Sequence, residues 1–256
     1  MYEINILGSS SKGNCIYVSD GEFKILLDCG LSLKNIKKQL HSNGITLSDI
    51  DYVLITHEHS DHIRGLKHLV DNYNTKVITS RGTLQGIDIQ KDNIVYIKDS
   101  QELILQNIII KAKRVNHDAN EPLCYAIENS LGEKLLYLTD CGMAKYMKFK
   151  NFDVYIIEAN YSEEQLELNH EQGFLHDVQY SRAVSGMGHL GINETIDFLK
   201  TNIGENTKKV IFSHLSTMNS NKEEFQKLGQ SRLSFDEVYI AEEGLQISCG
   251  VNPQPF

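Results

Sequence analysis

The stretch THEHSDHIRGL, residues 56–66, follows the apolar run Tyr52-Val53-Leu54-Ile55 without a break. Its six residues from His57 to His62 carry three histidines and two acids. Ionisable groups at the end of a strand leaving the core are costly if buried without partners, so the corner is either wet or held together by a cation. Neutral imidazole and carboxylate suit Zn²⁺, Mn²⁺ and Fe, and the absence of cysteine from the corner argues against a closed structural zinc site. Residues two apart on an extended turn, His57 and His59, can reach one ion. Asp61 and His62, at the start of a helix, turn toward a second beside it.

Two ions need more ligands, and acids and imidazoles do recur where apolar runs end. His117 lies in RVNHDANEP, Asp140 in LLYLTDCG, His214 in VIFSHLS and Asp28 in ILLDCG. A single strand-end Asp is more often a turn or helix cap. Four such junctions in addition to the corner supply the ligand set of a dinuclear site. Glu58 and Ser60 fall on the other side of the alternating turn and are assigned no catalytic role. Cys141 follows Asp140 but is superfluous as a ligand, and Lys34, Lys37 and Lys38 read as a solvated helix face.

The elements that position these residues are short. Strand-like runs occur at 2–7, 15–18, 23–27, 52–55, 76–79, 94–97, 108–112, 124–128, 134–138, 154–158, 209–212 and 238–240. Helix-like stretches interleave near 33–40, 63–72, 163–168, 192–201 and 222–228, with Asn193 as a candidate cap for the fourth. The pattern predicts an α/β chain forming one domain over 1–256, with two mixed sheets flanked by helices. The second half loosely echoes the first. Apolar residues at 41% are enough for a sizeable core, while the longest apolar runs, such as Ile108-Ile109-Ile110, are far too short to span a bilayer. The opening alternation Tyr2, Ile4, Ile6 reads as a strand and not a signal peptide. The five cysteines (Cys15, Cys29, Cys124, Cys141, Cys249) are scattered without a CxxC pair, which predicts a cytoplasmic chain without disulfides. A net charge of −9 disfavours a large duplex footprint but leaves room for a small phosphate-bearing substrate held by metal ions.

The HxHxDH corner with a distant His, a strand-end Asp and a final His resembles the metallo-β-lactamase superfamily. GSSSKGNCIYV, LLDCGLS, THEHSDHIRGL, NHDA, YLTDCG, IIEANY, RAVSGMGHLGINE and SHLSTMN, in that order, are similar to the YycJ/WalJ group of phosphodiesterases over roughly residues 4–240. The resemblance implies an αββα sandwich and two divalent ions, Zn²⁺ or Mn²⁺. His57, His59 and His117 would bind one ion, Asp61, His62 and His214 the other, and Asp140 would bridge them. Asp28 would orient the ligand histidines. His189, in SGMGHLGINE, matches a histidine that in the related tRNase Z group lies near the scissile phosphate, and is read as leaving-group acid or phosphate contact. Where the family commonly continues with Ser-Asn, this chain has Leu190-Gly191-Ile192-Asn193. Arg182, Ser10 in the Gly- and Ser-rich loop 9–14, and Asn219 are the remaining candidates for substrate contact.

Two ions about 3.5–4 Å apart lower the pKa of a bridging water, giving a hydroxide able to attack phosphorus. Asp61, Asp140 and His189 would carry the chemistry. The expected substrate is a phosphodiester, either the end of single-stranded DNA or RNA or a cyclic mononucleotide. The leading expectation is a 5′-to-3′ exonuclease, and the alternative is a cyclic-mononucleotide phosphodiesterase of the kind phages carry. A nucleotide-sequestering module on a retired hydrolase fold is a third reading, disfavoured because no ligand position is missing. β-Lactam and thioester hydrolysis fit less well: the corner continues Ile63-Arg64-Gly65, without the Gly-Gly usual for the latter. No membrane partner is expected, and a homodimer is the assembly to test.

Overall fold

The computed structural model describes residues 1–89 and 92–250. Three antiparallel strands open the chain: β1 (Glu3–Gly8), β2 (Cys15–Ser19) and β3 (Lys24–Leu27). Helices and parallel strands then alternate, in the order α1 (Leu33–Ser42), β4 (Tyr52–Leu54), α2 (Ser60–Ile63), α3 (Leu66–Asn72), β5 (Lys76–Thr79), α4 (Arg81–Gln85) and β6 (Ile94–Tyr96). The second half repeats this scheme. Antiparallel β7 (Glu102–Ile104), β8 (Ile108–Arg114), β9 (Leu123–Asn129) and β10 (Lys134–Leu138) come first. They are followed by β11 (Val154–Glu158), α5 (Glu163–Glu171), α6 (Asp177–Val184), α7 (Ile192–Asn202), β12 (Lys209–Ser213), α8 (Lys222–Leu233) and β13 (Val238–Ile240), with β11 to β13 parallel to β10. The final strand, β14 (Gln246–Ser248), crosses back to pair antiparallel with β1.

Two seven-stranded mixed sheets result, ordered β14-β1-β2-β3-β4-β5-β6 and β13-β12-β11-β10-β9-β8-β7. Their facing sides share one apolar layer in which Ile4, Ile16, Ile25 and Leu54 of the first meet Ile110, Tyr125, Tyr137 and Ile156 of the second. The outer face of the first sheet packs on Ile36 and Leu40 of α1 and Leu66 and Leu69 of α3. That of the second packs on Ile192, Ile196 and Leu199 of α7 and Phe225 of α8. This is the αββα arrangement. β11 is buried at all five residues, as a parallel strand covered on both faces should be. In α1 the hydroxyl of Ser32 caps the first turn by accepting from the Asn35 N–H, while Lys34, Lys37 and Lys38 face solvent.

Six helical and strand details differ from the sequence reading. Edge strands β7 and β14, three residues each, were not foreseen, and neither were α4 and α6. The helix expected at 63–72 is two helices, divided where Gly65 packs so closely that a Cβ there would lie 2.4 Å from the Leu31 carbonyl oxygen. Asn193 does not cap α7: the cap position is Gly191, and the Asn193 amide donates to Glu163 across 2.6 Å instead. Among the described residues no helix is long and apolar enough to cross a membrane.

Because β3 and β4 run parallel in one sheet and β10, β11 and β12 in the other, their carboxyl ends line up along one edge of the sandwich. Asp28, Thr56-His57, Asp140, Glu158 and His214 all occupy those ends.

Candidate metal centre

At these junctions the chain must turn abruptly out of a strand, and three of the residues that do so are left-handed: Asp28 (φ 58), Asp140 (φ 47) and His214 (φ 53). A residue other than glycine held there stores on the order of 1–3 kcal/mol of strain, tolerated where the surroundings over-determine it. The surroundings are hydrogen bonds. Asp28, fully buried, accepts from the Thr56 N–H (2.9 Å), the Thr56 hydroxyl (3.0 Å), the Tyr137 hydroxyl (2.8 Å) and His62 Nδ1 (2.8 Å). The loop 9–14 closes over the corner: Asn14 N–H donates to the Asp61 carbonyl (2.8 Å), and the Gly30 N–H to that of Asn14 (2.7 Å). Only glycine fits at position 30, where a Cβ would fall 1.6 Å from the Asp61 carbonyl oxygen.

The structure brings together all seven residues of the expected ligand set. Donor atoms of His57, His59 and His117 lie within 4.8 Å of one another, as do those of Asp61, His62 and His214 and those of His57, His62 and Asp140. Asp140 stands between the trios. Its Oδ1 is 3.8 Å from His117 Nε2, and its Oδ2 is 2.9 Å from His62 Nε2 and 3.5 Å from His214 Nε2.

The outer nitrogen of each buried ring is engaged, which leaves the inner one facing the cluster. Since the Thr56 hydroxyl donates to Asp28, it accepts from His57 Nδ1 (3.0 Å), so His57 Nε2 carries the lone pair. That Nε2 is buried and has no partner among the described residues. His62 Nδ1 donates to Asp28, and His117 Nδ1 donates to the Gly188 carbonyl (3.1 Å). His117 Nε2 and His59 Nδ1 approach to 3.2 Å, close enough for both to reach one cation. Burial, reinforced by His62, holds His57 well below the ordinary imidazole range, and burial likewise lowers His117. Both are therefore neutral, as ligands must be. The donor set of imidazole and carboxylate without thiolate fits a divalent metal.

His189 joins the same edge from the loop before α7. Its Nδ1 lies 2.7 Å from Glu158 Oε1 and 3.2 Å from Asp140 Oδ1. Burial opposes its charged form, but Glu158 and Asp140 outweigh burial and push its pKa up to about 10. Glu158 is the residue the sequence reading missed. It is fully buried and also accepts from the Cys141 N–H (3.0 Å) and the Leu190 N–H (3.2 Å). The signal was available, because Glu158 ends an apolar strand just as Asp28 and Asp140 follow theirs. Asn160 is a second omission: its amide lies 3.0 Å from His214 Nδ1 and donates to the His214 carbonyl across 2.8 Å.

The remaining candidates are less central. Arg182 forms a two-bond fork with Asp118 (2.8 and 2.9 Å), whose Oδ1 is 3.4 Å from His117 Nε2. The Ser10 hydroxyl accepts from the Lys12 N–H, and it is Ser9 that touches a ligand, accepting from the His214 N–H at 2.8 Å. The Asn219 side chain is buried and accepts from Asn169 (2.7 Å), so its partners belong to the α5 packing and not to the cluster. Burial pushes the Cys141 thiol up to about 12, so no thiolate is offered. Glu58 turns away from the cluster, and its Oε1 accepts from the Asn120 N–H at 2.8 Å.

A cluster of imidazoles and carboxylates at the carboxyl edge of an αββα sandwich defines a metallohydrolase. The chain belongs to the β-lactamase superfamily: residues 24–215 match the family model described as "Beta-lactamase superfamily domain". Its relatives place it in the YycJ/WalJ group. It is 32% identical over 233 residues to exodeoxyribonuclease WalJ of Streptococcus pneumoniae, covering 87% of this chain and 84% of that protein. With exodeoxyribonuclease YycJ of Bacillus anthracis it shares 28% over 251 residues, covering 95% and 93%. Its fold resembles that of the metallo-β-lactamase fold protein YhfI from Bacillus subtilis (TM-score 0.73, 15% identity, 97% of this chain and 100% of that one). Human tRNase Z, short form, is similar as well (TM-score 0.66, 16% identity, 97% and 100%). The chain is a metal-dependent hydrolase.

Proposed function

We propose that this protein hydrolyses the phosphodiester bonds of nucleic acid from a strand end, with two divalent ions, Zn²⁺ or Mn²⁺, that His57, His59 and His117 and, beside them, Asp61, His62 and His214 would hold together with Asp140. The observation that carries the reading is the placement of Asp140, with one oxygen toward each trio, in a chain alike over most of its length to two exodeoxyribonucleases. When bound, the ions would supply an activated water and neutralise charge on the phosphate. The protein's own groups do the rest. Asp28 and Thr56 engage the outer nitrogens of His62 and His57, which directs the inner nitrogens to where the ions would sit. Glu158 holds His189 through Nδ1, which presents Nε2 to the substrate side as a proton donor for the departing oxygen. Arg182 can transfer its planar fork from Asp118 to a phosphate.

A second reading, opening of cyclic mononucleotides, is favoured by one match: 46% identity over 59 residues to the Anti-Pycsar protein Apyc1 of Bacillus phage vB_BveM-Goe7, spanning 23% of this chain and 21% of that protein. The deciding experiment incubates manganese- or zinc-loaded protein with 5′-phosphorylated single-stranded DNA and, separately, with cyclic AMP, UMP and CMP. Stepwise shortening of the strand without ring opening is the expected outcome. Ring opening with intact DNA would replace the first reading by the second. The proposed compartment is the cytoplasm, on the strength of five reduced, buried cysteines.

A further inference from the structure

Beside the metal centre, two acid-free segments carry a charge opposite to that of the chain as a whole. The chain is acidic by nine charges, yet 103–117 and 141–152 hold six cations and no carboxylate side chain. These are Lys111, Lys113 and Arg114 at the end of β8, and Lys145, Lys148 and Lys150 in the loop after β10. The segments form the walls of a groove of about 370 Å³ lined by Lys113, Arg114, Asn116, Met143, Tyr146 and Lys148 among others. The groove's walls adjoin the centre along the chain. Asn116 precedes His117, Gly142 follows Asp140 by two residues, and the Gly142 N–H donates to the Asn116 carbonyl at 2.7 Å.

Lys111 and Lys113 pair with Glu102 and Asp99, whereas Arg114, Lys145, Lys148 and Lys150 form no ion pair among the described residues. Between the lysines stands Tyr146, 77% exposed, with the Lys145 ammonium 5.8 Å from its ring centre. The ring is held out by a fixed backbone. Ala144 before it is buried in the cluster on the second sheet's outer face, Met147 and Phe149 after it pack against that cluster, and the Tyr155 hydroxyl donates to the Phe149 carbonyl at 2.7 Å. A presented aromatic face among unpaired cations is the combination that binds single strands, with bases stacking on the ring and phosphates following the charge. An acidic polypeptide would use the charge and leave the ring idle.

We propose that this shelf is the subsite for nucleotides flanking the scissile bond of a single-stranded nucleic acid, with a base stacked on Tyr146 and phosphates held by Arg114 and Lys148. It rests on the phosphodiesterase reading and narrows it to linear strands, since a cyclic mononucleotide has no second base to place on the ring.

The test compares manganese-loaded full-length protein on 5′-phosphorylated thymidine strands of about two and about twelve nucleotides, on the matching ribo-strands, and on bis(p-nitrophenyl) phosphate, a diester too small to reach the shelf. The wild-type protein is expected to show a lower KM for the longer strand, whichever sugar it carries. Tyr146→Ala should raise that KM about tenfold with kcat little changed, and Tyr146→Phe should restore it. Arg114→Gln with Lys148→Gln should flatten the dependence of KM on salt. A longer-strand KM unmoved by all these substitutions overturns the shelf and leaves the phosphodiesterase reading standing. Poly-glutamate competing as strongly as the strand also overturns it, by assigning the shelf to acidic polypeptide. Protein that cleaves neither strands nor the small diester overturns the parent reading instead. Fluorescence-polarisation binding of the longer strand, which needs no turnover, then judges the shelf through the same variants.

Discussion

His189 illustrates how a side chain's neighbours decide its role. With Nδ1 engaged by Glu158, the ring has one nitrogen left for substrate. His189→Ala should therefore lower kcat on DNA by about 10²–10⁴-fold while leaving zinc content intact. Bis(p-nitrophenyl) phosphate, whose nitrophenolate departs without a proton, should lose far less, and equal losses on both substrates would refute the proton-donor role. The same ring gives a pH signature in metal-free protein. Its folded pKa of about 10, like the value of about 9 for His214, lies above the ordinary 6.5. For His214, burial opposes the charge and Asp140, Asp61 and Glu158 outweigh it. Groups raised on folding contribute stability that is complete below 6.5 and lost as pH rises through 9 to 10. The Tm of chelator-treated protein should accordingly fall between neutral pH and pH about 10, with a flatter profile after zinc loading, because a zinc ion held by His214 would take the proton's place. A profile with the same slope in both forms would contradict this. At this scale the sequence was informative about ligand types, since strand-end acids and imidazoles announce themselves. It was silent on Asn160 and Thr56, whose parts depend on which ring nitrogen each approaches.

Among the elements, the corner is tied to the His117 loop by a side chain outside the ligand set. Glu58 projects from between His57 and His59 and accepts from the Asn120 N–H, while its Oε2 is buried without a partner among the described residues. Gly86 leaves space for it, because a Cβ there would lie 2.6 Å from the Glu58 Cγ. Glu58→Ala should weaken zinc binding at the His57–His59–His117 half by about 10-fold or more, with the other half unchanged, as for residues that orient ligands. Glu58→Gln, which keeps the acceptor, should restore most of it. Zinc isotherms with two separable affinities read this out, and an isotherm unmoved in Glu58→Ala would refute the link. The elements themselves were legible to the extent that they are buried. All twelve apolar runs are strands, whereas β7 and β14 were missed because two of three residues in β14 and the ends of β7 face solvent. Helix α6 was missed for the same reason, since it buries no residue and offers no apolar period to read.

Across the whole molecule, the loose echo between halves resolves into two sheets built alike, antiparallel at one side and parallel at the other. The cluster draws on segments around positions 28, 57–62, 117, 140 and 214, which only the folded chain brings together. Metal bound to the native state and not to the unfolded chain stabilises by about 3–4 kcal/mol at 100 to 1,000 times Kd. For a chain of this length that corresponds to roughly 5–15 °C. Chelation should lower Tm by that amount, and restoring zinc should recover it. A Tm indifferent to chelator would mean that the cluster is not a metal site in solution. Chain-scale pairing was the least legible level, because nothing local in Gln246–Ser248 announces that it will cross back to β1.

The left-handed turns at Asp28, Asp140 and His214 bear on how this scaffold would age if released from its duties. Aspartate, asparagine and histidine enter that conformation more readily than most residues, so here the backbone's tolerance and the metal's appetite select the same amino acids. Once hydrolysis no longer matters, glycine becomes the favoured replacement at those corners. Asp140→Gly and His214→Gly should then outlast their alanine counterparts on heating, and an inactive descendant would be recognised by glycines where its ancestor kept its ligands.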